Sequence, residues 1–328
     1  MPGMIEVEGL TKSYGEHRGV TDLTFKVEPG EVFGFLGPNG AGKTTAIRLL
    51  MGLLRPNAGH ARIGSLDCWR DSFPIKRLIG YLPGELELDP NLTGGQILTY
   101  FANLRGGVDQ TFLRRLIEQL ELDPSRKFRE YSHGNKRKVG LIQAFMHRPP
   151  LLVLDEPTQG LDPLNQAEFD HLVEEVRADG RTVFLSSHIL NEVERLCSRV
   201  AFIRESQLTR IESVHALMAF RRREMEIVFA DPVGVEEFGA LPGVEAVRRL
   251  GVGRLRLVVQ GDVDAVVKRA AQHRVLSLAF KEPNLEAVFL SYYADKTTAA
   301  VPEIQGEPLE AFTLQPAKPP GSHSEADY

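Results

Sequence analysis

The feature that most constrains this chain is a glycine-rich turn that lies between a strand pattern and a helix pattern. Val32 to Leu36 is short, apolar and partly aromatic, which predicts a buried strand, and Thr45 to Leu54 predicts a helix. The residues that join them fit the phosphate-loop spacing: Gly37, Pro38, Asn39, Gly40, Ala41, Gly42, Lys43 and Thr44. A strand, this turn and a helix in that order predict an α/β fold that binds a phosphate group.

The residue types of this loop indicate its ligand. Its glycines let the backbone curl so that successive N–H groups point at phosphate oxygens, and the helix N-terminus adds its dipole. Lys43 is expected to bridge the β- and γ-phosphates of a nucleotide, and the Thr44 hydroxyl to hold Mg²⁺. We therefore predict that ATP with Mg²⁺ binds over Gly37 to Thr45. The alternative is a turn that binds nothing, and the complete spacing argues against it.

A second motif supplies carboxylates. Leu151 to Leu154 predicts a buried strand, and Asp155 and Glu156 follow at its C-terminal end, where open α/β sheets bind ligands. Asp155 suits Mg²⁺ coordination through water, and Glu156 suits orienting or deprotonating an attacking water. An apolar strand followed by two acidic residues is often only a strand end, but its pairing with a phosphate loop favours the functional interpretation.

Strand and helix patterns alternate over residues 1–218, which predicts a largely parallel sheet covered on both faces. From Gly94 to Met146 the strand signal disappears and helical patterns follow one another, so we predict a helical subdomain over about residues 85–150. Residues 222–294 show the strand and helix order of a small ferredoxin-like α+β domain that ends in an amphipathic helix, Asn284 to Tyr292. Residues 295–328 are rich in Pro, Gly, Ser and Glu, which predicts a disordered tail.

The composition excludes several classes of protein. The net charge is −5, which gives no general attraction to nucleic acid, and the basic run from Asn135 to Lys138 is interpreted as a solvated helix face. Cys68 and Cys197 are far apart, which argues against a disulfide framework or a zinc site and for a reducing cytoplasm. No apolar run approaches the roughly 18 residues that span a bilayer, so the chain is not expected to cross a membrane alone.

In the order of these motifs the chain resembles the ATP-binding subunits of ABC transporters, from about Met4 to Glu212. The resemblance implies an ABC-type P-loop NTPase domain and three further site residues. Asp162 looks like the end of the D-loop, His188 matches the switch histidine that contacts the γ-phosphate, and Tyr14 matches the aromatic residue that stacks on adenine. Structural alternatives are a helix cap for Asp162, an incidental position for His188 and an edge-strand packing role for Tyr14.

The family's signature sequence, usually Leu-Ser-Gly-Gly-Gln, is only partly present. Tyr131-Ser132-His133-Gly134-Asn135 occupies its place and keeps the serine and the second glycine, so Ser132 and Gly134 are predicted to contact the γ-phosphate held by a partner subunit. A closer match in letters begins at Leu92, but it lies about 60 residues before Asp155. There Thr93 is interpreted as a helix N-cap.

A second departure is Gly84, which stands where the family normally has a Gln that touches the metal and relays motion to the membrane subunit. Glycine has no side chain for either task. Coupling in this chain is therefore expected to use other atoms, and Glu85 is one candidate.

The resemblance implies an ATPase that dimerises around two ATP molecules, with a second copy or a paralogous subunit, and powers separate transmembrane permease subunits. Small bacterial export systems are the closest type, which would place the chain in the cytoplasm at the inner face of the membrane, with no nucleic-acid partner. One alternative is a soluble ABC ATPase that acts on ribosomes or DNA. Another is a regulatory nucleotide binder without hydrolysis, against which Glu156 and His188 argue.

Overall fold

The predicted alternation of strands and helices is found in the folded chain, of which the computed structural model describes residues 3–15, 17–219 and 222–281. The strands are β1 (Ile5–Tyr14), β2 (His17–Val27), β3 (Val32–Leu36), β4 (Ala58–Ile63), β5 (Leu66–Asp67), β6 (Ile79–Leu82), β7 (Leu151–Asp155), β8 (Thr182–Ser187), β9 (Arg199–Arg204), β10 (Gln207–Ser213), β11 (Arg222–Phe229), β12 (Val244–Gly251), β13 (Arg254–Gln260) and β14 (Val275–Lys281). The helices are α1 (Lys43–Leu50), α2 (Ser72–Leu78), α3 (Gly94–Leu104), α4 (Gln110–Gln119), α5 (His133–Phe145), α6 (Pro163–Ala178), α7 (Leu190–Leu196), α8 (Val214–Ala219), α9 (Glu236–Gly239) and α10 (Asp264–Ala270).

The central sheet has the strand order β10-β9-β3-β8-β7-β6. Its strands run parallel from β9 to β6, and the edge strand β10 pairs antiparallel with β9. Every residue of β3, β7 and β8 is buried, as expected for parallel strands covered on both faces. Parallel strands end at one edge of a sheet, so the segments that follow β3, β7 and β8 lie side by side.

A second, antiparallel sheet has the order β2-β1-β4-β5. Its apolar face shares one hydrophobic core with β3, α1 and β8. Phenylalanines fill this core: the Phe25 ring lies 5.9 Å from that of Phe33, 5.7 Å from that of Phe35 and 6.0 Å from that of Phe184. Burial of one such side chain contributes about 1.5–3 kcal/mol to the free energy of folding. The phenylalanines therefore hold the antiparallel sheet against the central sheet that carries the phosphate loop.

The predicted helical insertion lies between β6 and β7, where α3, α4 and α5 follow one another. Each of these helices begins at a side-chain cap. The Thr93 hydroxyl accepts from the Gln96 amide, while the Gln96 side chain accepts from the Thr93 amide, so the two residues form a capping box. Asp109 caps α4 and Ser132 caps α5. The interpretation of Thr93 as a helix cap is therefore confirmed.

The described residues after position 221 have the element order β11-α9-β12-β13-α10-β14 and the sheet order β12-β13-β11-β14. Met225, Ile227 and Leu257 on one face of this sheet pack against Phe238 of α9 and Val266 of α10. The element order over these residues is the one given in the sequence analysis, and the ferredoxin-like domain stays a prediction. The predicted amphipathic helix and the predicted disordered tail lie outside the described residues. Within the described part of the chain, no helix is both long enough and apolar enough to cross a bilayer.

Candidate nucleotide-binding site

The phosphate loop joins β3 to α1 at the C-terminal ends of the parallel strands of the central sheet. Gly42, the residue before α1, has φ of 105°, and no side chain caps the first turn of the helix. A Cβ atom at Gly42 would lie 2.4 Å from the carbonyl oxygen of Gly19, and one at Gly37 would lie 2.3 Å from that of Ile203. Both positions therefore require glycine, and the N-terminus of α1 is left open to an anion.

Lys43 points its ammonium group into this loop and is only 6% exposed. Its Nζ donates to the carbonyl oxygens of Gly37 at 2.6 Å and Pro38 at 3.2 Å, and it lies 3.1 Å from Glu156 Oε1. The lysine thus links the phosphate loop to the acidic pair at the end of β7. A phosphate group entering the loop would meet a cation that is already held in place.

Asp155 is the last residue of β7 and Glu156 follows it, and the environments of the two side chains differ. Asp155 is fully buried, and its Oδ1 accepts a 2.6 Å hydrogen bond from the Ser186 hydroxyl. Its Oδ2 is buried without a hydrogen-bond partner among the described residues. A buried carboxylate oxygen without a partner is costly, so this atom is available to a ligand that the protein itself does not provide.

Glu156 lies in the left-handed region, with φ of 52°, which is uncommon for a residue with a long side chain. Its amide donates to Ser186 Oγ at 3.0 Å, and its Oε2 lies 2.6 Å from His188 Nδ1. Because Oε1 contacts Lys43, the two carboxylate oxygens join the phosphate loop to the segment after β8. Strained backbone of this kind persists where the surroundings hold it, and it is frequent at active sites.

Tyr14 ends β1 with 43% of its surface exposed. Its strand lies between β2 and β4, so Tyr14 is not on an edge strand. A Cβ atom at Gly19 would lie 2.9 Å from the Tyr14 ring and 3.2 Å from Thr45 Cγ2, which places the ring beside the first turn of α1. Lys12 Nζ lies 5.7 Å from the centroid of this ring, and a partly exposed aromatic ring near the phosphate loop suits stacking by a planar group.

Comparisons with known proteins agree with this geometry. A family model described as ABC transporter matches residues 20–159. The linearmycin resistance ATP-binding protein LnrL of Bacillus subtilis (strain 168) is 31% identical over 88% of this chain and 97% of that protein. The Nod factor export ATP-binding protein I of Paraburkholderia xenovorans (strain LB400) is 35% identical over 87% and 95% of the two chains. The chain belongs to the ATP-binding proteins of ABC transporters.

A solved structure supports the same family. The ATP-binding subunit of an ABC transporter is 30% identical to this chain and matches with a TM-score of 0.60, over 65% of this chain and 91% of the other. The predicted ABC-type P-loop NTPase fold is therefore confirmed. As a member of the family the chain binds nucleotide and is an ATPase, which hydrolyses ATP to ADP and phosphate.

The segment predicted to be the signature lies against the segment predicted to be the D-loop. Ser132 caps α5 by accepting from the Asn135 amide at 3.2 Å, and Ser132 is exposed. A Cβ atom at Gly134 would lie 2.6 Å from the carbonyl oxygen of Gly160. Asp162, two residues further on, caps α6 by accepting from the Asn165 amide at 3.0 Å. The two predicted dimer-contact elements are thus neighbours within one subunit.

Gly84 lies beside Asp155, the predicted metal ligand of the ABC site. A Cβ atom at Gly84 would lie 3.0 Å from Asp155 Oδ2 and 3.4 Å from its Cγ. A longer side chain at position 84 would point toward the oxygen that has no hydrogen-bond partner among the described residues. Glycine leaves this space open.

Sequence reasoning missed three side chains near the site: Ser186, Arg137 and Glu192. The interpretation of the basic run Asn135 to Lys138 as a solvated face is wrong, because Arg137 is 3% exposed and Lys138 is 6% exposed. Glu192 is also buried and accepts from the hydroxyls of Thr158 at 2.9 Å and Ser187 at 2.5 Å, while its burial raises its pKa. Residues three to four positions apart lie on the same face of a helix. A charged residue at this spacing from apolar core residues is therefore expected to be buried, and this signal could have identified Arg137 and Glu192.

Proposed function

We propose that this chain is the ATP-hydrolysing subunit of an ABC exporter, with Mg²⁺ as its metal and a separate transmembrane permease as its partner. One observation carries the catalytic part. Glu156 is held between Lys43 of the phosphate loop and His188 of the segment after β8. The names of relatives that act in resistance and in export support the direction of transport.

The residues present fit a magnesium ion. The Asp155 oxygen that lacks a partner among the described residues is a hard oxygen ligand, and the Thr44 hydroxyl lies in the first turn of α1. When bound with nucleotide, Mg²⁺ neutralises charge on the β- and γ-phosphate oxygens. Asp155 and Thr44 would hold it, and Ser186 keeps the Asp155 carboxylate oriented through Oδ1.

The chain's own residues then have separate tasks in hydrolysis. Lys43 and the amides of the phosphate loop bind the phosphates, and the exposed face of Tyr14 receives the adenine ring. Glu156 orients the attacking water and takes its proton, which is the work of a general base. His188 holds Glu156 in place through its 2.6 Å contact. Its proposed second task is to contact the γ-phosphate.

Two subunits are proposed to close around two ATP molecules, as a homodimer or with a paralogous subunit. Each nucleotide would lie between the phosphate loop of one subunit and the signature of the other. Ser132 and Asp162 are both exposed, and Gly134 lies against Gly160, so the two segments offer exposed polar groups that a second subunit can reach. The Ser132 hydroxyl and the N-terminus of α5 would donate to the γ-phosphate.

Substitution of Ser132 and of Thr93 should show which of the two segments, that of Ser132 or the similar one that begins at Leu92, is the signature. Ser132 and Thr93 both cap a helix by accepting an amide hydrogen bond of 3.2 Å, so each change to alanine costs about the same fold stability, typically about 1 kcal/mol. Ser132→Ala should in addition lower the ATPase rate about ten- to a hundredfold, because a hydrogen bond to a charged phosphate contributes about 1.5–3 kcal/mol. Thr93→Ala should keep its turnover.

The measurement is the ATPase rate of both variants beside their thermal melting temperatures and monomer ATP affinities. Ser132→Ala should bind ATP normally as a monomer. Loss of turnover in Thr93→Ala with turnover retained in Ser132→Ala would move the signature to the N-terminus of α3 and contradict the dimer proposed above.

The permease is proposed to dock in a cleft of about 1450 Å³ beside β6, walled by α2 and by the C-terminal ends of α3 and α5. Its rim exposes large apolar side chains: Phe73 is 71% exposed, Leu104 64% and Leu53 50%. Cations outnumber acids around it: Arg48, Lys76, Arg77, Arg105 and Arg148 against Glu85, Glu87 and Asp109. An apolar, positively charged groove suits a short cytoplasmic segment that carries aromatic and acidic residues.

Co-purification from detergent-solubilised membranes tests this proposal. A polytopic membrane protein should be recovered with the unmodified chain and lost with Phe73→Ser, which leaves nucleotide binding intact. Val252→Ser is the matched control, because Val252 is an apolar residue that is 88% exposed and lies outside the cleft. If no membrane protein depends on Phe73, the soluble ABC ATPase becomes the better function.

We propose that residues 1–218 form the ATPase domain, with the helical subdomain over about 85–150, and that residues 222–294 form a second domain. Binding to the permease would place the chain at the cytoplasmic face of the membrane. We propose that the chain has no nucleic-acid partner, and its motifs and net charge of −5 support this.

A further inference from the structure

Arg137 lies in the second turn of α5 and donates to five backbone carbonyl oxygens. Nη1 donates to Pro83 at 2.7 Å and to Gly84 at 2.9 Å, and Nε donates to Pro157 at 3.4 Å. Nη2 donates to Asp155 and Glu156. A guanidinium has five N–H donors in one rigid plane, so all its donors are used within the protein.

These carbonyls belong to two loops with different surroundings. Pro83 and Gly84 follow β6, and Pro83 and Glu85 line the cleft beside that strand. Asp155 ends β7, Glu156 follows it, and the two carry the carboxylates of the nucleotide site. Arg137 itself is on the helix whose first residues form the signature, so one side chain joins the cleft, the carboxylates and the signature helix.

The contact with Glu156 reaches a backbone segment that needs support. Glu156 has φ of 52°, and its amide is held by Ser186 Oγ at 3.0 Å. Its carbonyl is held by Arg137. A left-handed conformation is strained in a residue with a long side chain, so the two contacts together hold the backbone that carries the Glu156 carboxylate.

The charge of Arg137 also faces the site. The carboxylates of Asp155, Glu156 and Glu192 lie near it and favour its charged form, whereas burial lowers its pKa to about 10. The guanidinium therefore stays protonated at neutral pH. Arg137 thus places one buried cation beside the backbone of Asp155 and Glu156.

We propose that Arg137 is a positioning residue for ATP hydrolysis, which holds the peptide groups of Asp155 and Glu156 in register with Pro83 and Gly84. A displacement of the loop in the cleft is thereby passed to the general base. This inference rests on the proposed function, because it takes Glu156 as the base. It supplies the coupling that Gly84, without a side chain, does not make.

The test compares ATP affinity, kcat and melting temperature in Arg137→Lys and Arg137→Gln. Lysine keeps the charge but donates from one atom, and glutamine keeps two donors without the buried charge, so neither can hold both loops. We expect kcat to fall at least about tenfold in both, with monomer ATP affinity changed by less than about threefold. Arg199→Lys is the matched control, because Arg199 also donates to a backbone carbonyl and a carboxylate, away from the site.

A second measurement separates a positioning role from a purely structural one. In the Glu156→Gln background, which is expected to trap an ATP-bound dimer, Arg137→Lys should leave that dimer intact. Failure of Glu156→Gln alone to form a dimer contradicts the proposed function. A trapped dimer that is lost on adding Arg137→Lys, a near-normal kcat in the folded single variants, or failure of both to fold would each overturn the positioning role.

Discussion

Lys43→Ala is expected to lower ATP affinity at least about a hundredfold, which corresponds to about 2.7 kcal/mol. Lys43 is the cation that points into the phosphate loop, and each hydrogen bond from a charged group to phosphate contributes about 1.5–3 kcal/mol. Part of that gain is offset, because without nucleotide the ammonium already donates to Gly37 and Pro38 and contacts Glu156. After this offset, the loss of two phosphate contacts still lowers the affinity about a hundredfold.

Titration of a fluorescent ATP analogue against the monomer measures this affinity, and a melting curve checks the fold. Lys268→Ala is the control, because Lys268 is 75% exposed and pairs with Asp264 on α10. It should bind ATP like the unmodified chain. Unchanged affinity in a folded Lys43→Ala protein would mean that the nucleotide is not held by this loop.

The central sheet and the phosphate loop could be predicted from the sequence because their signals are local. A short apolar run such as Leu151 to Leu154, with two prolines before it, favours a strand covered on both faces, and every residue of that strand is buried. The loop pattern carries its own geometry, since Gly42 must adopt a positive φ and Gly37 must allow the close approach of Ile203. Because β3 and β7 both run parallel to β8, their C-terminal ends lie on the same side of the sheet, which brings Asp155 and Glu156 close to the loop.

The supports of the site could not be predicted in this way, because they depend on contacts between distant segments. Arg137 is separated from Gly84 by 53 residues and from Glu156 by 19, and a basic run on a helix usually faces water. Ser186 looks like an ordinary strand residue until the sheet places it beside Asp155. The positive φ of Glu156 likewise has no sequence signal, since glutamate is not enriched in that region.

Glu156→Gln is expected to stop turnover and to trap an ATP-bound dimer. Glutamine keeps the size of the side chain and can hydrogen-bond with Lys43 and His188, but it cannot take a proton from water. Loss of a general base typically costs about 10²–10⁴-fold in rate, while the phosphate contacts of Lys43 and the loop amides remain. ATP should therefore bind and the dimer should close without being released by hydrolysis.

Gel filtration with ATP and Mg²⁺, beside the ATPase rate, measures both effects. The matched control is Glu205→Gln: Glu205 also has a positive φ, 49°, but it is exposed and lies in the turn between β9 and β10. Any backbone effect of exchanging Glu for Gln in the left-handed region would appear in both variants, whereas loss of the base appears only at position 156. Normal turnover in Glu156→Gln would assign the proton transfer to another group, and His188, 2.6 Å from Glu156 Oε2, would be the next residue to substitute.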